Sequence, residues 1–187
     1  ADAINNATTA DPVVHTVTDN DVAQIIVSPT TTAVTEGGAT STYSVVLATE
    51  PTATVTVDLV TTDQATTSSS ALTFTTANYN VAQNITVSAI DDALADSTTT
   101  ATTTLTASSS DTGYNSLTDN VVHTVTDNDT AEVIESPETV TEAEGGATSS
   151  YDVLLGSQPT ATVTINIAAS TTEATTSVSQ LVFTPAN

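Results

Sequence analysis

The chain has 187 residues, 22 of them Asp or Glu, no Lys or Arg, and a net charge of −22. Without a single permanent cation it has no basic patch for nucleic acid or an anionic membrane, and its carboxylates must be neutralised by metal ions or protons. Cysteine is absent, which excludes disulfides, thiolate nucleophiles and sulfur-ligated zinc, while Thr makes up about a quarter of the residues and favours strands.

In chain order, the first organised stretch is Val-Val-His-Thr-Val-Thr-Asp-Asn-Asp from Val13 to Asp21, which returns from Val121 to Asp129 at an offset of 108 residues. Glu36-Gly37-Gly38-Ala39-Thr40-Ser41 returns at the same offset from Glu144, and Pro51 to Val57 returns from Pro159 to Ile165. Beyond Val163 the offset becomes 109, since Phe74 matches Phe183, so one residue is inserted near Ala168. A fixed period of this size marks stacked modules of domain dimensions. The register predicts the tail of one module over 1–21, a complete module over 22–129 and the first half of a third over 130–187, a window onto a longer array.

Within 22–129, apolar and polar residues alternate with a period of two, as half-buried strands require. Strands are predicted near 23–35, 41–48, 53–61, 70–75, 82–90, 97–107 and 119–127. Val55, Val57 and Leu59 point to one side against Thr54, Thr56 and Asp58. Turn chemistry separates the strands at Glu36-Gly37-Gly38, Glu50-Pro51, Thr62-Asp63-Gln64, Thr76-Ala77-Asn78, Asp91-Asp92 and Asp111-Thr112-Gly113. Seven short strands without a helical pattern predict an all-β chain of tandem immunoglobulin-like antiparallel sandwiches, about seven strands to the module. Its larger core members are expected to be Tyr43, Val45, Leu47, Leu72, Phe74 and Leu105.

The acids collect at turns. In such a sandwich alternate loops share a pole, so Glu36, Asp63, Asp91, Asp92, Asp96, Asp127 and Asp129 are expected to converge with no basic residue to pair them. Like charges raise each other's pKa and destabilise the fold unless a cation binds, and Ca²⁺, with six to eight oxygen ligands and tolerance for irregular loops, fits better than Mg²⁺. The alternative for each acid is an ordinary solvated turn residue.

At these residues the chain resembles the Calx-β family. Glu36 of Thr35-Glu36-Gly37-Gly38 matches the acidic residue after that family's first strand, Asp63 the one after the third, Asp91-Asp92 with Asp96 the group after the fifth, and Asp127-Asn128-Asp129 the triplet ending the last. The resemblance implies Ca²⁺ held by these side chains, with Asn128 supplying a neutral oxygen where the family often has a carboxylate. Asp19 and Asp21 fall at the site of the preceding module, and Glu144 at that of the third, where Thr172 stands opposite Asp63 with Glu173 one place along.

His15 and His123 occupy equivalent positions four residues before the triplets. That separation is roughly 13 Å along a strand, too far to share an ion, so ordinary strand histidines are expected. Asn6, Asn84 and Asn128 begin N-glycosylation sequons, a weak three-residue signal.

No nucleophile, base and cleft combination, phosphate loop or aromatic sugar platform is present, so no catalysis is expected. Asp129 runs directly into Thr130-Ala131-Glu132-Val133, with no flexible spacer. These features predict a structural, calcium-stiffened repeat of a secreted or cell-surface fibre or adhesin. Its partners would be neighbouring modules of the same chain and, through edge strands, a homopolymer or lateral bundle. The alternative is an adhesin module recognising a surface glycan or protein.

Overall fold

The computed structural model describes residues 13–18 and 20–186. Among them are thirteen strands and no helix. Nine strands build one sandwich: β1 (Ile25–Ser28), β2 (Thr31–Thr35), β3 (Ser41–Leu47), β4 (Val55–Thr61), β5 (Ala65–Thr67), β6 (Ala71–Phe74), β7 (Gln83–Ala89), β8 (Thr99–Ser109) and β9 (Thr118–Thr126). They form a four-stranded sheet in the order β1-β3-β7-β5 and a five-stranded sheet in the order β2-β9-β8-β4-β6.

All seven expected strands are present, and two departures raise the number to nine. The single strand expected over 23–35 is broken at Pro29, which has no N–H to continue a ladder. The chain therefore leaves the first sheet after β1 and enters the second as β2. There it runs parallel to β9, with Thr31 opposite Val122 and Thr35 opposite Thr126, so the sandwich is not wholly antiparallel. The second departure is β5, three residues that pair with the end of β7, too short to leave a periodic signal.

The alternation read in the sequence decides the core. Val55, Val57 and Leu59 on β4 are buried while Asp58 is exposed, and every expected large core residue is buried: Tyr43, Val45, Leu47, Leu72, Phe74 and Leu105. Tyr114 joins them from the β8–β9 connection; its hydroxyl donates to the Thr49 carbonyl at 2.7 Å and accepts from the Thr49 N–H at 2.9 Å, tying that connection to the end of β3. Among the described residues, the buried apolar ones all lie between Ile25 and Val125.

Residues 130–186 carry β10 (Val133–Ser136), β11 (Asp152–Leu155), β12 (Val163–Asn166) and β13 (Gln180–Phe183), paired two by two. Their registers follow the repeat: Val133 faces Leu155 as Ile25 faces Leu47, and Val163 faces Phe183 as Val55 faces Phe74. None of the described residues in this stretch is fully buried, and 139–143, the counterpart of β2, is not a strand. In the complete sandwich β2 is held through β9; no strand pairs in that way among the described residues of 130–186. Residues 13–18 are exposed and without regular structure.

Candidate metal centre

The parallel pairing of β2 with β9 brings two chain segments 91 residues apart to one point. Immediately past β2 the Glu36 N–H donates to the Thr126 carbonyl at 3.0 Å, so Glu36 leaves the sheet beside Asp127. Carboxylate oxygens of Glu36, Asp127 and Asp129 all lie within 4.8 Å of one another. The turn that follows is made by Gly37 with φ of +57°, a left-handed conformation that favours glycine. A Cβ there would stand 2.9 Å from Asn128 Nδ2 and 3.2 Å from Asp91 Oδ1. Gly37 therefore lets three loops meet at close quarters.

Hydrogen bonds order the rest. Asn128 Nδ2 donates to Asp91 Oδ1 at 3.3 Å, the Asp129 N–H to Asp127 Oδ1 at 2.7 Å, and the Leu94 N–H to Asp92 Oδ1 at 2.8 Å. The Asp96 N–H donates to Asp127 Oδ2. Beside the cluster opens a cavity of about 250 Å³ whose walls include Glu36, Asp96, Asp127 and Gln64.

Two features show that the carboxylates lack sufficient partners. Glu36 is only 5 % exposed, yet no donor reaches its carboxylate among the described residues. Asp129 Oδ2 is buried and has no hydrogen-bond partner. Burial, then Asp92, Asp127, Asp91 and Asp129, push the Glu36 pKa up; burial, then Asp127, Asp91 and Asp92, raise that of Asp129. A buried polar atom without a partner is costly. Oxygen donors alone, several of them anionic, suit a hard divalent cation, and the donor set fits Ca²⁺.

Of the ten acids expected to bind metal, Glu36, Asp127 and Asp129 form the tight group. Asp91 and Asp92 stand close enough to perturb it, and Asp96 joins through its backbone and the cavity wall. Asp63 is exposed in the turn after β4, and its neighbour Gln64 lines the cavity instead. Glu144 is exposed beside Gly145, which repeats the positive φ at +69° but has nothing within 4 Å of its Cβ direction, so no second set of loops closes on it. Asp21 lies ahead of β1 and is exposed, and Asp19 lies outside the described residues.

His123 is a core residue. It is fully buried between Thr32 on β2, whose hydroxyl meets Nδ1 at 2.7 Å, and Thr103 on β8, whose hydroxyl meets Nε2 at 2.8 Å. Thr103 in turn bonds Thr61 at 2.8 Å. The imidazole lies 6.0 Å from the Tyr43 ring, and burial lowers its pKa. The Tyr43 hydroxyl is buried without a hydrogen bond of good geometry; burial pushes its pKa up to about 12, and the nearby Thr103 hydroxyl draws it only partly back. His15 is exposed. Of the sequons, Asn84 is exposed on β7, Asn128 sits within the cluster, and Asn6 lies outside the described residues.

No family model and no curated protein matches the chain. Among solved structures it is similar to the periplasmic chaperone SfaE, with 7% identity over 56% of this chain and 58% of that one and a TM-score of 0.45. It is also similar to the E. coli chaperone DraB, with 8% identity over 58% and 57% and a TM-score of 0.44. A third, the C. elegans MSP family member WR4, has 7% identity over 55% and 96% and a TM-score of 0.39. The match spans less than two thirds of either chaperone.

Proposed function

We propose that the chain is a structural repeat of an extracellular fibre or surface adhesin, stiffened by Ca²⁺ at the junction between successive modules. One observation carries the reading: Glu36, Asp127 and Asp129 converge where β9 ends, and only residues 127–132 separate that strand from β10. An ion shared by these carboxylates holds the departing chain to the body it leaves. Glu36, Asp127, Asp129, Asp91 and Asp92 would hold the ion, with the Asn128 amide oxygen available as a neutral donor.

Bound Ca²⁺ supplies the positive charge that the chain lacks and relieves repulsion among buried carboxylates. The residues do the remaining work. Glu36 fixes the end of β2, the Asp127 side chain braces the loop at Asp96 and the backbone at Asp129, and Gly37 allows the approach. Extracellular fluids hold millimolar Ca²⁺, enough to fill sites of ~10⁻⁴–10⁻³ M, which supports a secreted or cell-surface setting. The matching registers of 25–74 and 133–183 support neighbouring modules of one chain as the main partners. The resemblance to Calx-β modules supports the same ligands, and the reading assigns no catalysis.

Calcium titration by calorimetry tests the site. The reading expects binding to the whole chain that is lost in Asp127→Ala and Asp129→Ala. Equal binding by both variants and the parent would overturn it.

A further inference from the structure

We propose that the turn 156–159 is a docking surface for the acidic loop 91–96 of the preceding unit, and that Gly156 and Gln158 set the angle at this joint. The proposal rests on reading 130–187 as the unit that follows 22–129. Its evidence lies outside the ion ligands. The Gln158 N–H donates to the Ala93 carbonyl at 2.7 Å, bridging the loop of one unit to the turn of the next.

The same turn also holds the connecting chain. The Gly156 N–H donates to the Glu132 carbonyl at 2.9 Å. A Cβ at 156 would stand 2.6 Å from the Thr130 carbonyl oxygen and 2.8 Å from Glu132 Cγ. The first is a backbone atom, so any side chain at this position forces the connection away. One short turn therefore grips both the segment leaving the cluster and the loop that supplies its acids.

The two ends of this contact are anchored. On the loop side, Leu94 is bonded to Asp92 and Asp96 to Asp127, so Ala93 is carried by the acidic cluster. On the turn side, Gln158 Nε2 donates to the Pro185 carbonyl at 2.6 Å, fastening the turn to its own unit. The equivalent positions of the complete unit are Ala48 and Glu50. Ala48 makes the matching bond to the Gln24 carbonyl at 2.9 Å, so the hairpin itself does not require glycine. Glycine and a neutral amide are therefore features of this joint: one removes a steric obstacle, and the other keeps uncharged the residue whose N–H meets the acidic loop.

The chain has no cysteine, so nitroxide labels introduced at the exposed Thr106 and Thr164 by T106C and T164C report the joint in the whole 187-residue chain. Pulsed electron resonance should give one narrow distance, lost in both Gly156→Ala and Gln158→Glu, with Ca²⁺ affinity by calorimetry unchanged from the parent in Gly156→Ala. Added Ca²⁺ should narrow the distance distribution in Gln158→Glu, where charge is part of the obstacle beside the lost Nε2 bond to Pro185, and leave Gly156→Ala broad. A narrow distance retained in both variants, or a broad one in the parent with and without Ca²⁺, would overturn the docking. A narrow parent distance with no Ca²⁺ binding would instead leave the docking intact and sink the calcium reading.

Discussion

Glu36 and Thr126 share a backbone hydrogen bond of 3.0 Å that joins the end of β2 to the end of β9. The bond extends a parallel pairing by one step beyond the sheet, and it commits the Glu36 carboxylate to the space beside Asp127 and Asp129. A residue 5 % exposed in a chain with no Lys or Arg then shares its pole with carboxylates and no permanent cation.

Removing that charge should have opposite effects with and without the ion. In chelator, Glu36→Gln should melt above the parent, because repulsion with its neighbours is gone. At saturating Ca²⁺ the order should reverse, the variant losing most of the about 2.7 kcal/mol that 100 times the dissociation constant provides. Calorimetric melting curves in the two buffers check the crossing.

The pH dependence follows from the same group. Glu36 and Asp129 have folded pKa values raised above 4.5 and 3.8, so their contribution to stability is fully present below those values and lost as pH rises through the folded ones. Metal-free protein should therefore gain stability from these two groups on acidification from neutral toward the ordinary carboxylate range. Saturating Ca²⁺ should abolish the gain, since the ion favours the ionised form. Urea unfolding at stepped pH, with and without chelator, measures it.

His123 pulls the other way. Its folded pKa lies below 6.5, so its contribution is present above 6.5 and lost as pH falls through the folded value. Replacing it with Leu should leave the Thr32 and Thr103 hydroxyls without their shared partner, costing about 1–3 kcal/mol at pH 7. The variant should also lack the acid-side loss belonging to the imidazole. Its stability profile below pH 6.5 should thus follow the carboxylates alone.

Gly37→Ala combines backbone strain at positive φ with a Cβ pressed against Asn128 and Asp91. A cost of about 1–2 kcal/mol is expected from the left-handed conformation alone, together with weakened Ca²⁺ binding. Gly145→Ala shares the strain but meets nothing, so it should leave calcium affinity unchanged. Parallel titration of the two variants separates crowding from strain.

Much of the sandwich was legible because one face of each strand is buried. Val55, Val57 and Leu59 announce β4 by alternation alone, and Gly37 marks its turn through a conformation other residues avoid. The path of the first strand was not legible. Pro29 signals a break, but the switch of β2 to a parallel partner depends on β9, more than eighty residues away. The same non-local pairing selects Glu36, Asp127 and Asp129 from among the acids. The order of the loops gathers seven carboxylates at one pole; that Gln64 lines the cavity beside an exposed Asp63 is seen only in the folded turn. His123 read as an ordinary strand residue because its two threonine partners lie on different strands of the sheet.

The central claim, that a cation at the Glu36, Asp127 and Asp129 cluster stiffens the chain, is tested most directly by small-angle scattering of the whole chain beside its melting curve, with Ca²⁺ and with chelator. Calcium should raise the melting temperature and lengthen the particle, both effects shrinking in Asp92→Ala and persisting in Asp58→Ala, whose side chain projects from the exposed face of β4. Unchanged dimensions and unchanged melting on removing calcium would contradict the account and leave the acids as a solvated, negatively charged pole.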